Sequence, residues 1–420
     1  MKFTPSADVA VILHALLDKY ERRFAATGPP EAEGHGRRTI RCDLTALSLP
    51  GYFNQADPVP RQVANEQLQQ LDESGLVKLA WLPGESGHLL ASAALAPDRA
   101  GEAYTLLQRT PLAAWRARLT ELLLGERFRF SDWRLRAVQN ALVQLQAGKS
   151  PAPFCLADDE FNRDLLTALA ALDGVPAETP YRVFSVRVFN DSKRFEALAG
   201  ALTTLARRHQ AALQSFSSEE VLRELNLVAN PGHLYLHGSW ELVGDSGQIV
   251  SLREFEPSVG IPAAQAARLR RVRVDAPRVI GVENLTSFYE LIRSSRSPLA
   301  AVCLWGNPSP ACRHLLQCLP EEVPFYVWAD LDYGGLNILA QLRERVIPRA
   351  QPCRMDIETL EAHAAWAKPL TPGDVRNLAR LARRPALADM EPLIQHLLRR
   401  SLKLEQEAVI LPVDDLAETL

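Results

Sequence analysis

The sequence predicts an α/β and α+β multidomain protein, with winged-helix-like N-terminal and middle modules followed by a C-terminal parallel-sheet α/β domain. Three observations predict it. Twice, around 62–94 and again around 192–255, a helical stretch leads into paired strand-like runs, the outline of a winged helix. From position 279 onward, short and wholly apolar runs alternate with helical ones, as in a parallel sheet covered on both faces. A length of 420 residues also exceeds what one hydrophobic core fills. We place the divisions at 1–98, 99–150, 151–275 and 276–420.

Hydrophobic residues at 47% and charged residues at 23% leave ample material for large cores in a globular chain. No run of eighteen uncharged apolar residues occurs, so no membrane span is expected. The opening Met1-Lys2-Phe3-Thr4-Pro5-Ser6 lacks the features of a secretory signal, and the cytoplasm is the expected compartment. The six cysteines (Cys42, Cys155, Cys303, Cys312, Cys318, Cys353) include no CxxC and read as reduced, mostly buried thiols. Cys312, His314 and Cys318 match no standard zinc spacing. A net charge of -3 gives no global sign of nucleic-acid binding.

In the N-terminal module Val9, Ile12, Leu13, Leu16, Leu17 and Tyr20 fall on one helical face. After a Gly/Pro-rich break at 28–36, a second helix at 62–74 carries Val63, Leu68 and Leu71 and stops at Gly75. Strand-like runs at 76–81 and 88–94 follow, joined by Pro83-Gly84-Glu85-Ser86-Gly87. Glu66, Asp72 and Glu73 lie on the helix that would enter a DNA groove, which favours docking over base reading. Helices over 102–147, broken at Pro111 and near Ser131-Asp132, form an arm, and Lys149-Ser150-Pro151-Ala152-Pro153 reads as a linker.

The middle section is expected to hold a helix at 159–172, a strand at 181–185 and a helix at 192–210 capped by Ser192. Lys193 and Arg194 open that helix, either placed for a phosphate or simply solvated. A helical stretch at 222–227 and a hairpin of 233–242 with 249–255 complete the section. Its two tyrosines, Tyr181 and Tyr235, lie in strand-like runs and read as packing residues. Arg268, Arg270, Arg271, Arg273 and Arg278 cluster against a single Asp275, as a solvated face or as a grip on a phosphate backbone. Arg376, Arg380, Arg383 and Arg384 read as a solvated helix face.

In the last section, strands at 279–283, 299–305 and 325–330 alternate with helices at 286–292 and 310–319. Leu336, Leu339, Leu342 and Val346 then fall on one face of a further helix. Ligands of such sheets sit beyond the carboxyl ends of the strands. Glu283 ends the first strand, Asp330 ends the third, and Asp332 follows in the turn, with Gly334 and Gly335 leaving room for a phosphate at the helix N-terminus. Carboxylates cost too much at buried strand ends unless a cation or substrate uses them. An all-oxygen set of this kind suits Mg2+ or Mn2+ and phosphodiester cleavage. A lone DxD is weak, but a Glu after one apolar strand and DxDxxG after another is the pattern of the Toprim domain.

The strings Val282-Glu283-Asn284-Leu285-Thr286-Ser287-Phe288, Trp328-Ala329-Asp330-Leu331-Asp332-Tyr333-Gly334-Gly335-Leu336 and Met355-Asp356-Ile357-Glu358-Thr359-Leu360 resemble the JetD family of Wadjet anti-plasmid systems. Phe184-Ser185-Val186-Arg187-Val188-Phe189-Asn190-Asp191 and Leu404-Glu405-Gln406-Glu407 resemble its middle and C-terminal parts. The resemblance implies a topoisomerase VI A subunit-like chain, a homodimer. It implies double-strand cleavage of closed circular DNA within a condensin-like complex of an SMC-like ATPase, kleisin-like and small winged-helix subunits. A cytoplasmic, nucleoid-associated protein follows from it.

By carry-over Glu283, Asp330 and Asp332 would bind Mg2+ or Mn2+. Asp356 would be an additional ligand, a supporting acid or a plain helix N-cap, and the roles of Glu405 and Glu407 stay open. Ala329 stands where the family pattern has glycine, a small change that should preserve the strand. Two other readings stay alive: a topoisomerase-like strand transferase using Tyr181 or Tyr235, and a noncatalytic docking protein with a relic Toprim fold. Water is favoured over tyrosine as the nucleophile.

Overall fold

The computed structural model describes residues 3–24, 40–295 and 298–409, so the break at 28–36 lies outside the described residues. The fold is mixed α/β and divides into two compact units, Met1–Ala170 and Ala171–Leu420. No described helix is long and apolar enough to cross a membrane.

The first unit begins with α1 (Ala7–Phe24), whose Val9, Ile12, Leu13, Leu16 and Leu17 are at most 1% exposed. Each such side chain contributes about 1.5–3 kcal/mol by leaving water. Strand β1 (Ile40–Asp43), helix α2 (Val59–Glu73) and strands β2 (Val77–Trp81) and β3 (Leu90–Leu95) follow. The strands form an antiparallel sheet in the order β1-β3-β2. Gly75, at φ 77°, takes the left-handed position that ends α2.

A buried polar knot fixes these elements. The Tyr52 hydroxyl donates to Asn65 Oδ1 at 2.8 Å and accepts from Leu90 N at 3.0 Å, while Asn65 Nδ2 donates to the His88 carbonyl at 2.9 Å. Helices α3 (Ala100–Leu106), α4 (Leu112–Glu126), α5 (Trp133–Gln146) and α6 (Asp159–Ala171) complete the unit. Asp132 caps α5 by accepting from Arg134 N, at the expected break.

The second unit opens with β4 (Thr179–Pro180), α7 (Tyr181–Phe189), α8 (Arg194–His209), α9 (Ser218–Glu224) and β5 (Leu227–Val228). Next come β6 (His233–His237), β7 (Trp240–Val243), β8 (Ile249–Ser251), β9 (Val259–Pro262), α10 (Ala263–Ala266) and β10 (Arg271–Val274). The alternating part consists of β11 (Val279–Val282), α11 (Leu285–Ser294), β12 (Ala300–Cys303), α12 (Pro310–Gln317), β13 (Phe325–Trp328), α13 (Tyr333–Arg345), β14 (Gln351–Pro352) and α14 (Ile357–Ala362). It closes with β15 (Lys368–Pro369), α15 (Pro372–Leu381), α16 (Glu391–Arg400) and β16 (Leu402–Lys403).

One six-stranded sheet, in the order β14-β13-β11-β12-β6-β9, organises this unit. Strands β13, β11 and β12 run parallel, as expected, and β14 joins them in parallel, whereas β6 pairs antiparallel with β12 and β9 antiparallel with β6. Every residue of β11, β12 and β13 is buried, which is why these strands read as unbroken apolar runs. Leu336, Leu339 and Leu342 on α13 are fully buried in the same core, as their spacing predicts. The helices after β11, β12, β13 and β14 are capped in turn by Asn284, Ser309, Asp332 and Asp356.

Four expectations need correction. Residues 181–185 are helical, not a strand: Phe184 packs edge-on against Phe195 of α8 at 5.1 Å, and burial overrides the β-branched valines. Asn190, left-handed at φ 56°, ends that helix. Ser192 does not cap α8, since Asp191 Oδ1 instead accepts from Lys193 N at 2.8 Å and the helix starts at Arg194. The helix expected at 222–227 begins earlier, at Ser218, where Ser217 and Glu220 form a reciprocal capping box.

The stretch 233–242 is not one hairpin strand. It breaks at Gly238 (φ 95°), where a side chain would strike the Leu299 carbonyl, so β6 enters the large sheet while β7 pairs with β8 and β10.

Candidate active site

Parallel pairing sets Val282 opposite Trp328, so Glu283 and Asp330 leave the sheet at the same edge. The backbone then locks them together. Glu283 N donates to the Trp328 carbonyl at 3.0 Å, and Asp330 N donates to Glu283 Oε2 at 2.9 Å. Asp332 Oδ1 accepts from Gly335 N at 3.0 Å and caps α13. Gly335 is required here because any Cβ would run into the Asp330 backbone. The N-termini of α11 and α13 thus lie directly after the acids, where their partial positive ends favour anions.

A third piece of chain completes the edge. Leu331 and Leu404 exchange backbone hydrogen bonds at 2.9 and 3.2 Å, which docks the segment after β16 against the DxD turn. Gln406, 1% exposed, donates from its backbone N to Asp330 Oδ1 at 2.7 Å and from Nε2 to the Trp328 carbonyl at 2.8 Å. Its Oε1 accepts from Asn284 N at 3.4 Å. The buried side-chain amide therefore bridges the ends of β11 and β13, while the backbone N–H of the same residue holds Asp330.

The electrostatics are those of crowded, uncompensated acids. Burial, then the Asp330 charge, raises Glu283 to about 8, with Asp332 and Glu407 adding to the rise. Burial raises Asp330 to about 6; the Gln406 backbone donor opposes this, while Asp332, Glu407 and Glu405 reinforce it. Among the described residues no ion pair includes Glu283, Asp330 or Asp332. Their donors are all oxygen and their negative charge is unmatched, which fits a hard divalent cation in charge and ligand type. Each acid commits one described oxygen to a backbone N–H and keeps a second. In this arrangement, among the described residues, no three His, Cys, Asp or Glu side chains converge closely enough to hold an ion.

The remaining sequence candidates lie elsewhere. Asp356 accepts from Thr359 N at 2.6 Å as the N-cap of α14, the plainest of its three expected roles. Lys193 and Arg194 stand at the start of α8. Arg270 pairs with Asp245 at 2.6 Å and Arg273 faces Glu241 at 3.9 Å on the β10-β7-β8 sheet, with Arg271 exposed beside them and Arg268 just before β10. Tyr181 opens α7 with its ring 6.4 Å from Phe195, and Tyr235 on β6 lies 6.2 Å from Trp305. His314 Nε2 is 2.8 Å from the Leu269 carbonyl, and all six cysteines are free.

Sequence reading found the three acids but not Gln406 as their fastener or Glu407 as their neighbour. The only local signal is the alternation at 404–407, with Leu404 and Gln406 buried and Glu405 and Glu407 exposed.

Residues 244–420 match the family model described as "Wadjet protein JetD, C-terminal". The chain is also 23% identical over 405 residues to the Wadjet protein JetD of Bacillus cereus (strain Q1), covering 95% of this chain and 98% of the relative.

Proposed function

The chain is a JetD-family protein, and on that premise we propose that it is the metal-dependent DNA endonuclease subunit of a condensin-like Wadjet complex, cleaving plasmid or other closed circular DNA by phosphodiester hydrolysis. The observation that supports this best is the half-buried Glu283–Asp330 pair. Two acids raised by burial and by neighbouring carboxylates, with no described cationic partner, sit at the carboxyl edge of a parallel sheet. A structural ion pair would have brought a base with it.

In this reading Glu283, Asp330 and Asp332 hold Mg2+ or Mn2+. The bound ion supplies an acidified water and charge stabilisation for a phosphodiester. The chain's own residues fix the acids: Asp330 N holds Glu283, Gln406 N holds Asp330, and Gly335 N holds Asp332. The N-terminus of α13 faces the incoming phosphate, and Gly334 and Gly335 keep its approach clear. Water is the nucleophile, because Tyr181 and Tyr235 are placed against aromatic neighbours at helix and strand positions.

Double-stranded DNA is the substrate, and an SMC-like ATPase with kleisin-like and small winged-helix subunits presents it to a homodimer of this chain in the cytoplasm, at the nucleoid. The α-β-α-β-β order of the first unit, with sheet order β1-β3-β2, supports a winged-helix docking module.

The test is plasmid linearisation by the full chain supplied with its partner subunits, ATP and Mg2+ or Mn2+. Wild type cuts, and Asp330→Ala abolishes cutting. Undiminished cutting by that variant would sink the assignment.

A further inference from the structure

We propose that the groove between α13, α15 and the 211–215 turn binds the phosphate backbone of DNA beside the acidic edge, with Arg345 and Arg380 as the phosphate contacts and Arg384 as a fixed base next to them. This rests on the reading of Glu283, Asp330 and Asp332 as a phosphodiester-cleaving site.

Spacing on α13 comes first. Leu336, Leu339 and Leu342 pack into the core, whereas Tyr333, Asn337, Gln341 and Arg345 recur at every fourth position and line a groove of about 540 Å³. A stripe at that spacing runs along the helix, so it carries the groove about 18 Å away from the DxD turn. That length follows one strand over about five phosphates. Asn377 and Arg380 of α15, with Arg384 just after it, line the groove from a second helix.

Contacts tie this groove to the acids. Tyr333 follows Asp332 directly. Further along, Gln341 Nε2 donates to Asn307 Oδ1 at 3.1 Å, and the neighbouring Gly306 N donates to the Glu283 carbonyl at 3.0 Å. One wall is therefore bonded to the loop that grips the main chain of the first acid.

Charge then names the occupant. Three arginines and no aspartate or glutamate line the groove, in a chain whose net charge is -3. Arg384 is held in place: its Nε donates to Glu344 Oε1 at 3.0 Å and its Nη1 to Asn337 Oδ1 at 2.8 Å, while Asn337 Nδ2 donates to Ser215 Oγ at 3.2 Å. Arg345 and Arg380 are exposed and have no ion pair among the described residues. A base in the last turn of a helix is ordinary. Two unanswered bases from two helices, opening on one acid-free groove lined with amides, select a polyanion. DNA is the polyanion that must also reach the acids.

The experiment measures binding of a fluorescein-labelled DNA duplex to the purified full chain in EDTA by fluorescence anisotropy, between about 50 and 200 mM salt, with folding checked by thermal denaturation. Wild type binds with a steep salt dependence, the same on unrelated sequences. Arg345→Ala with Arg380→Ala lowers the slope of log affinity against log salt by about 2 at unchanged Tm, about one for each lost phosphate contact. Arg345→Lys with Arg380→Lys keeps the wild-type slope, because a phosphate accepts a point charge. Asp330→Ala keeps it too while losing plasmid linearisation, which separates grip from cleavage.

A wild-type slope in the alanine double variant overturns this inference and leaves the proposed cleavage site standing; if that variant also fails to join its partner subunits, the groove holds an acidic protein surface instead. Linearisation that survives Asp330→Ala removes the cleavage reading, and the groove's role with it.

Discussion

Two charge-rich regions of the second unit, the arginine-bearing sheet of β7, β8 and β10 and the acidic edge of β11 and β13, use charge in opposite ways. Around the small sheet three arginines face acids across solvent: Arg270 with Asp245, Arg273 with Glu241, Arg253 with Asp275. Such exposed pairs are worth about 0–1 kcal/mol each. At the sheet edge, Glu283 and Asp330 are half-buried beside further carboxylates and have no described base. The lesson is that charge density alone is a poor pointer to a functional region, and that partly buried charge without a counter-ion is a better one.

That contrast can be broken or sharpened by experiment. The largest effect is expected at Gly335. Gly335→Ala forces a methyl into the Asp330 backbone, so it should cost about 1–3 kcal/mol of stability and abolish Mn2+ uptake and cleavage. A variant with normal activity would show that α13 can retreat without disturbing the acids.

Next is the pH response of the cation-free chain. Glu283 and Asp330 keep their protons, up to about 8 and about 6, where an unfolded chain has lost them. The folded state therefore binds more protons between the ordinary carboxylate range and about pH 8, and stability falls as pH rises through that window. Thermal denaturation should show Tm declining from pH 5 to pH 8, a decline reduced in Glu283→Gln and reversed by Mn2+. A Tm that rises across this range in wild type would contradict the crowding.

Asp356 gives a smaller and purely structural effect. Asp356→Ala should lose about 0.5–2 kcal/mol from the α14 cap while Mn2+ affinity stays unchanged. Weakened affinity at the same Tm loss would return Asp356 to the ligands. The smallest effect belongs to the arginine sheet: Arg270→Ala with Arg273→Ala should shift stability by no more than about 0.5 kcal/mol. A reduced salt dependence of DNA binding in that double variant would convert the solvated face into a phosphate grip.

Much of the second unit was legible because its signals are local. Buried strands β11, β12 and β13 had to be apolar throughout, and the acids and glycines that end them lie within a few positions. What stayed hidden depends on distant partners. The helix Tyr181–Phe189 reads as a strand until Phe195 and the Ser185 hydroxyl, which accepts from Phe195 N at 3.0 Å, hold it against α8. Strands β6 and β9 join the large sheet through a reversal at Gly238, which no periodicity announces. Gln406 was illegible for the plainest reason: it lies 76 positions beyond the acid it orients.

That separation bears on how the protein is made. A nascent chain presents Glu283 and Asp330 to the cell well before the ribosome reaches Gln406, and domains fold as units in the order of synthesis. Until that residue arrives, Asp330 lacks its backbone donor and the edges of β11 and β13 lack their bridge. Synthesis must therefore run through Gln406 before the acidic edge has all its supporting contacts, and a chain ended short of it lacks both.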